Sequence, residues 1–316
     1  MNTVSTEFEG ANLVGTIATF YKDPSESRFE VSLDTAERFR DANLPLVVVD
    51  NSAGQSDHEH WVRAAYRQRG AVVLPAIVGG IARQRQQGVQ HAVNSGAGKI
   101  VGFEPEKPMI ADFAPEIAGA LDDTDVLVIG RTEESKASVP PVQMSTENPA
   151  GWLLQEIYNL PPDSLAGPRG FTVAGAEVLA AYQAGTDPKI KNNWIYMYQT
   201  PLAARKGGLR VGGLALNMQY PDVLVKEETG NPVYDNKRFM QFGLQLEHLL
   251  AGEGFDPDSL VPGERTQALL EATRDVLPRL SSAKELGHKT LIMSNFTKLL
   301  RDRFGYPESA LHGGVQ

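Results

Sequence analysis

The chain has 316 residues, with 39 acidic against 30 basic side chains and a formal net charge of −9. That balance leaves no basic stripe to displace phosphate counterions and excludes a general nucleic-acid binder. There is no cysteine, which rules out disulfides, thiolate metal sites and cysteine nucleophiles and suits a reducing cytoplasm. Residues 1–12 are polar and acidic, without the basic and apolar regions of a signal peptide, so none is expected. No apolar run approaches the ~20 residues of a membrane span.

Taken in order, residues 13–20 (LVGTIATF) form a β-branched apolar run that predicts a buried strand, broken by the polar Tyr21-Lys22-Asp23-Pro24. Residues 28–42 place Phe29, Val31, Leu33, Ala36 and Phe39 at an approximate helical period. A second strand at 44–49 (LPLVVV) closes in Asp50-Asn51-Ser52. A helix over 58–69 and a strand over 71–78 follow, and Gly79-Gly80 opens a helix to about Asn94. The fourth strand ends abruptly in Glu104-Pro105-Glu106-Lys107; a helix over 109–121 and a fifth strand over 125–130 come next.

This alternation predicts an α/β fold with a mainly parallel sheet covered by helices on both faces. Ligands of such sheets sit outside the carboxyl ends of the strands, near a topological switch point. The polar residues there, Tyr21-Lys22-Asp23, Asp50-Asn51-Ser52, Glu104 with Glu106, and Arg131-Thr132, are expected to converge. Further on, 131–142 reads as a polar loop, 152–159 as a helix and 163–171 (DSLAGPRGF) as a glycine- and proline-punctuated loop. Helices over 177–183 and 194–206 and a strand over 209–216 complete a domain of residues 1–225. A polar linker over 226–236 then leads into helical patterns at 239–250, 266–280 and 286–304, read as a helical C-terminal extension spanning 226–316.

Three constellations carry chemistry. Asp50, Asn51 and Ser52 suit either a base or ribose contact or a helix-capping turn. At 79–88 (GGIARQRQQG), glycines permit close backbone approach and a helix start offers its N–H groups to an anion. Arg83 and Arg85 in the first turns oppose the helix dipole, so they suit a diphosphate, or else a solvated basic face. Glu104 and Glu106 flank a proline bend and suit a divalent cation, or else a solvated turn. Trp61, Trp152 and Trp194 suit core packing or sugar stacking. The histidines form no site, and neither a dinucleotide fingerprint nor a P-loop occurs.

In that order and spacing the residues resemble the nucleotide-sugar half of GT-A glycosyltransferases of the large family-2-like group, over about 13–131 well and 165–221 weakly. There a strand ends in an aspartate, a glycine-led basic helix follows, and another strand ends in D-x-D; Asp50, Gly80 to Gly88 and Glu104-x-Glu106 stand in those places. Leu165-Ala166-Gly167-Pro168-Arg169 is similar to the acceptor-side loop, especially that of the retaining glucosyl-3-phosphoglycerate synthase group. The resemblance implies transfer of a hexose from a nucleoside-diphosphate sugar to an acceptor, with Mg²⁺ or Mn²⁺ as cofactor. It assigns Asp50 to the base or ribose, Gly80, Arg83 and Arg85 to the diphosphate side, Glu104 to the ribose side and Glu106, with Glu104, to the metal. It makes Arg169, a catalytic candidate together with Asp187, an anion contact beside Leu165, Ala166 and Gly167, or else part of a plain turn.

Three departures stand out: Asn217-Met218-Gln219-Tyr220-Pro221 follows the last strand, where the family often carries a metal-binding histidine, and two more concern the carboxylates. The longer Glu-Pro-Glu replaces Asp-x-Asp with Lys107 adjacent. Where inverting members carry a base carboxylate, this chain has Lys191-Asn192-Asn193-Trp194, with Asp187 the nearest acid. A degenerate GT-A-like binding protein and a nucleotidyltransferase therefore remain as alternatives. The C-terminal helices suit a homodimer interface or a cover over the acceptor site.

Overall fold

The computed structural model describes residues 7–52, 56–77, 80–181, 196–251 and 257–307. The chain divides into two compact units: residues 1–130 with 167–221, and residues 131–166 with 222–316.

The first unit carries a seven-stranded sheet in the order β3-β2-β1-β4-β6-β5-β7. Its strands are β1 (Val14–Thr19), β2 (Leu46–Asp50), β3 (Val72–Pro75), β4 (Lys99–Phe103), β5 (Val126–Arg131), β6 (Arg169–Thr172) and β7 (Val211–Leu216). The β-branched runs become strands because both faces are covered, which makes a continuous apolar sequence favourable. β1, β2 and β5 are buried along their whole length. Pairings β1–β2, β2–β3 and β1–β4 are parallel, whereas β6 runs antiparallel to both β4 and β5. The mainly parallel α/β sheet expected from the alternation is therefore present, with β6 reversed.

Helices α1 (Ser27–Asp41), α2 (Ser56–Gln68), α3 (Ile81–Asn94), α4 (Ala114–Asp123), α7 (Val173–Ala181) and α8 (Tyr196–Lys206) cover the sheet; α5 (Glu133–Ala137) and α6 (Pro141–Tyr158) lie between β5 and β6 in sequence. One core joins Ile17, Phe29, Phe39, Val48, Val101, Phe103, Ile117 and Ile129. The other joins Val14, Val47, Ala82, Val89, Ile100, Val126 and Phe171. Alternate residues of each strand thus feed opposite cores. Packing is close: a Cβ at Gly15 would lie 2.3 Å from the Phe39 ring. Gly88 seats α3 on the sheet, since a Cβ there would meet Val49 at 3.3 Å and Thr16 at 3.4 Å.

The second unit is helical. It gathers α5, α6, α9 (Asp222–Glu228), α10 (Pro232–Ala251), α11 (Glu264–Ser282) and α12 (Leu286–Phe304). The C-terminal helices therefore pack with 131–166 rather than as a unit of their own, and α6 lies against both α10 and α11. Trp152 meets Tyr306 edge-on at 5.4 Å and carries the Arg265 guanidinium 6.0 Å above its ring, so it belongs to this unit's packing. Three segments read as irregular are ordered differently. The expected loop at 131–142 contains α5 and the start of α6, and the expected linker at 226–236 contains the end of α9 and the start of α10. The expected loop at 163–171 ends in β6. Among the described residues no helix is long and apolar enough to cross a membrane.

Candidate functional site

β1 and β4 lie side by side while their onward connections lead to opposite halves of the sheet, so the switch point falls at their carboxyl ends. The loop after β1 and the loop after β2 are tied together there by Asp50. Its carboxylate is fully buried. Oδ1 accepts from Thr19 Oγ1 at 3.2 Å, Ser52 N–H at 3.1 Å and Ser52 Oγ at 2.6 Å, and Oδ2 pairs with Arg63 Nε of α2 at 3.1 Å. Ser52 Oγ in turn accepts from the Tyr21 N–H at 3.1 Å. Asp50 and Ser52 thus build the rim, and Asp50 spends both oxygens inside the fold. The partly exposed Asn51 is the member of the trio that still reaches solvent. On α2, Trp61 packs on Phe29 with ring centroids 4.9 Å apart while remaining 47% exposed.

The stretch after β4 forms the second half of the site. The Glu104 carboxylate takes Arg85 Nη2 at 3.1 Å on Oε1 and Lys107 Nζ at 3.0 Å on Oε2. Arg85 projects inward from the second turn of α3 and is 3% exposed, whereas Arg83 is exposed and donates to Gln86 at 3.3 Å. Burial works to raise the Glu104 pKa, but the Lys107 and Arg85 cations outweigh it and hold it at about 2. Glu106 points elsewhere, to Arg28 Nη1 of α1 at 3.2 Å. For Glu106 burial prevails over the Arg28 cation, and its pKa is raised. Burial also raises the phenols of Tyr21 and Tyr66, and the Glu106 charge adds to both. Thr35 Oγ1 donates to the Pro105 carbonyl at 2.5 Å, fixing the bend between the two glutamates.

Gly167 closes the corner. Its φ is +96°, in the left-handed region that favours glycine, and a Cβ there would lie 2.1 Å from Glu104 Oε1. The Leu-Ala-Gly motif thus reaches the corner through this glycine, while Leu165 and Ala166 are buried in the helical unit. Two residues on, Arg169 is not on a loop. It opens β6, opposite Gly102 of β4 and Val128 of β5, 1% exposed, with Nη1 donating to the Pro168 carbonyl at 2.7 Å. The cause is register: β6 fills the gap between β4 and β5. Gly80 caps the start of α3 with φ +105°. Asp187, Gly79, Trp194 and the 191–193 stretch lie outside the described residues.

Not every strand-end residue converges. Arg131 turns to Asp163 at 2.7 Å and Glu147 at 2.8 Å in the helical unit, and Thr132 caps α5 by accepting from Ser135 N–H at 3.2 Å. Sequence reading missed Arg28 and Arg63 as partners of the two acids. For Arg28 the signal was available: a basic residue in the first turn of α1, against the dipole, as with Arg83 in α3.

No protein-family model and no curated protein sequence matches the chain. Solved structures do. The mannosyltransferase PcManGT from Pyrobaculum calidifontis, solved in complex with GDP-Man and Mn²⁺, superposes with a TM-score of 0.50 at 15% identity, over 96% of this chain and 84% of that one. A mycobacterial protein superposes with a TM-score of 0.51 at 14% identity, over 81% and 77% of the two chains. The fold is the GT-A fold. The resemblance drawn from the sequence implies a divalent metal at the strand end that Glu104 and Glu106 occupy. Here the donor set does not fit one: the two carboxylates diverge, each already holds a guanidinium or ammonium group, and among the described residues no group of three acidic or histidine side chains could ligate an ion.

Proposed function

We propose that this protein is a glycosyltransferase that binds a nucleoside-diphosphate sugar at the carboxyl ends of β1, β2 and β4 and passes the sugar to an acceptor hydroxyl. The reading rests on the fold together with one observation. Arg85, a guanidinium 3% exposed, stands with Lys107 at the switch point of the sheet, where an open α/β sheet takes its ligand. Buried guanidinium groups are costly unless paired, and the fork geometry of arginine matches phosphate oxygens as well as carboxylate.

In the transfer, the bond between the anomeric carbon and the diphosphate oxygen breaks, a bond to the acceptor oxygen forms, and the acceptor proton leaves to solvent or a base. Negative charge grows on the departing diphosphate, and fixed cations at that point lower the barrier. Asp50 acts as a positioning residue, holding Ser52 and the β1 loop so that Asn51 and Trp61 edge the nucleoside side. Asp187 is retained as the candidate base and Arg169 as a candidate acceptor-side cation. The absence of cysteine supports a cytoplasmic setting.

The test is a thermal-shift panel of UDP, GDP, CDP and ADP and their sugars, followed by hydrolysis and transfer assays with whichever nucleotide binds. Stabilisation by one nucleoside diphosphate and turnover of its sugar is the expected result. Pyrophosphate release from a nucleoside triphosphate and a sugar phosphate would instead make the protein a nucleotidyltransferase. Binding without turnover would leave a GT-A-like binding protein, and no shift with any nucleotide would overturn the donor site itself.

A further inference from the structure

The acidic corner carries more positive than negative charge of its own. Arg28, Arg85 and Lys107 face Glu104 and Glu106. A divalent-cation site needs the reverse: carboxylates whose charge is uncompensated and whose oxygens converge on one point. Here Glu104 and Glu106 are drawn apart by their separate partners. The Gly167 backbone also walls Glu104 Oε1, where a Cβ would lie at 2.1 Å. Glu104 Oε2, buried and without a hydrogen bond, has the Lys107 ammonium 3.0 Å away, so an ion would have to displace that cation to reach it.

We propose that Glu104 is an internal stand-in for a phosphate rather than a metal ligand, and that Arg85 and Lys107, which it holds ready, neutralise the diphosphate of the donor without a divalent metal. This rests on the donor-site reading above. A carboxylate and a phosphate present comparable oxygen pairs to an arginine fork and a lysine ammonium, so one oxyanion can exchange for the other with little rearrangement. Exchange also spares the buried Arg85 from ever standing without an anion, the state that costs most. Lys107, three residues from Glu104 and 17% exposed, completes the clamp from the solvent side.

The proposal fixes the sign of a mutational effect. A metal ligand, when neutralised, loses the nucleotide along with the metal. A stand-in anion, when neutralised, leaves its cations to the incoming phosphate. Isothermal titration of the full chain with pyrophosphate, UDP and GDP in EDTA and in Mn²⁺ is therefore expected to give the same affinity in both media. Glu104→Gln is expected to tighten binding on the order of tenfold, and Lys107→Gln to weaken it by a similar factor. Melting curves of each variant identify any that fail to fold, and Lys107→Gln, altering the more exposed cation, carries the test if Glu104→Gln is unfolded. Electron paramagnetic resonance of Mn²⁺ added alone is expected to show only the free-ion signal. A bound Mn²⁺ lost in Glu104→Gln or Glu106→Gln, or diphosphate binding that appears only with Mn²⁺, would overturn the proposal while leaving the donor site intact. If neither pyrophosphate nor any nucleotide binds in either medium, the donor site falls and this proposal with it.

Discussion

Glu104 and Glu106 stand two residues apart and are pushed in opposite directions by their surroundings. Glu104, held at about 2 against an ordinary value of 4.5, binds its proton less readily folded than unfolded. Its ionised form therefore stabilises the protein above about pH 4.5, and that contribution is lost as pH falls toward 2; it amounts to about 3 kcal/mol at neutral pH. Glu106, raised by burial, contributes in the opposite sense: its share is present at low pH and is lost as pH rises through its folded value. Carboxyl ¹³C titration should show Glu104 inflecting near pH 2 and Glu106 above 4.5, and urea midpoints of Glu104→Gln should lose the acid limb between those values. A single shared inflection would contradict the separate pairings. Asp50 belongs to the same scale. Asp50→Ala removes the buried acceptor shared by Arg63, Thr19 and Ser52, so it should cost about 3–5 kcal/mol in chemical denaturation, whereas Arg83→Ala, at an exposed position, should stay within about 0.5 kcal/mol.

Elements differ in how openly their sequences declare them. Strands β1, β2, β4 and β5 were legible because burial on both faces demands unbroken β-branched runs. The helix after Gly80 was legible from its glycine start and its period. β6 was not: Arg169-Gly170-Phe171-Thr172 has no strand signature, and its conformation is imposed by β4 and β5 on either side. α6 was half hidden, since Pro149 and a polar first half mask a helix that begins with Pro141 at its first position. In the site, Asp50, Arg85 and Glu104 were legible as strand-end and helix-start charges. Which cation some of the acids take was not, because Arg63 and Arg28 reach Asp50 and Glu106 through tertiary packing that no local pattern encodes. The seating of α3 turns on one residue. Gly88→Leu would force the helix away from Thr16 and Val49 and draw Arg85 off Glu104. It should lower stability by about 1–3 kcal/mol with far-UV circular dichroism retained, and it should reduce pyrophosphate binding as well. Unchanged binding would mean that the corner does not depend on where α3 sits.

At the scale of the whole molecule, the helical unit is organised around charge as much as around apolar packing. Arg131 holds Asp163 at 2.7 Å and Glu147 at 2.8 Å, and Arg238 holds Glu228 at 3.2 Å, all at half-buried or buried positions. Burial would lower the Arg131 pKa, but Asp163 and Glu147 outweigh it and raise it; burial would raise Asp163, and Arg131 outweighs that in turn. Asp163 also sits at φ +56°, a left-handed conformation that costs an aspartate energy unless its surroundings hold it there. Arg131 does so twice, donating from its backbone N–H and its side chain to Asp163 at 2.8 Å. Removing the guanidinium leaves Asp163 buried without the cation beside it and Glu147 with Arg238 at 3.9 Å, a loss of about 3–5 kcal/mol. Arg131→Met should therefore loosen the helical unit. Amide exchange should quicken first in α6 and α10, while β1, β2 and β4 keep their protection, because proteins open locally in contiguous cooperative units. Loss of protection at the same rate in the strands and the helices would show instead that the two units unfold as one.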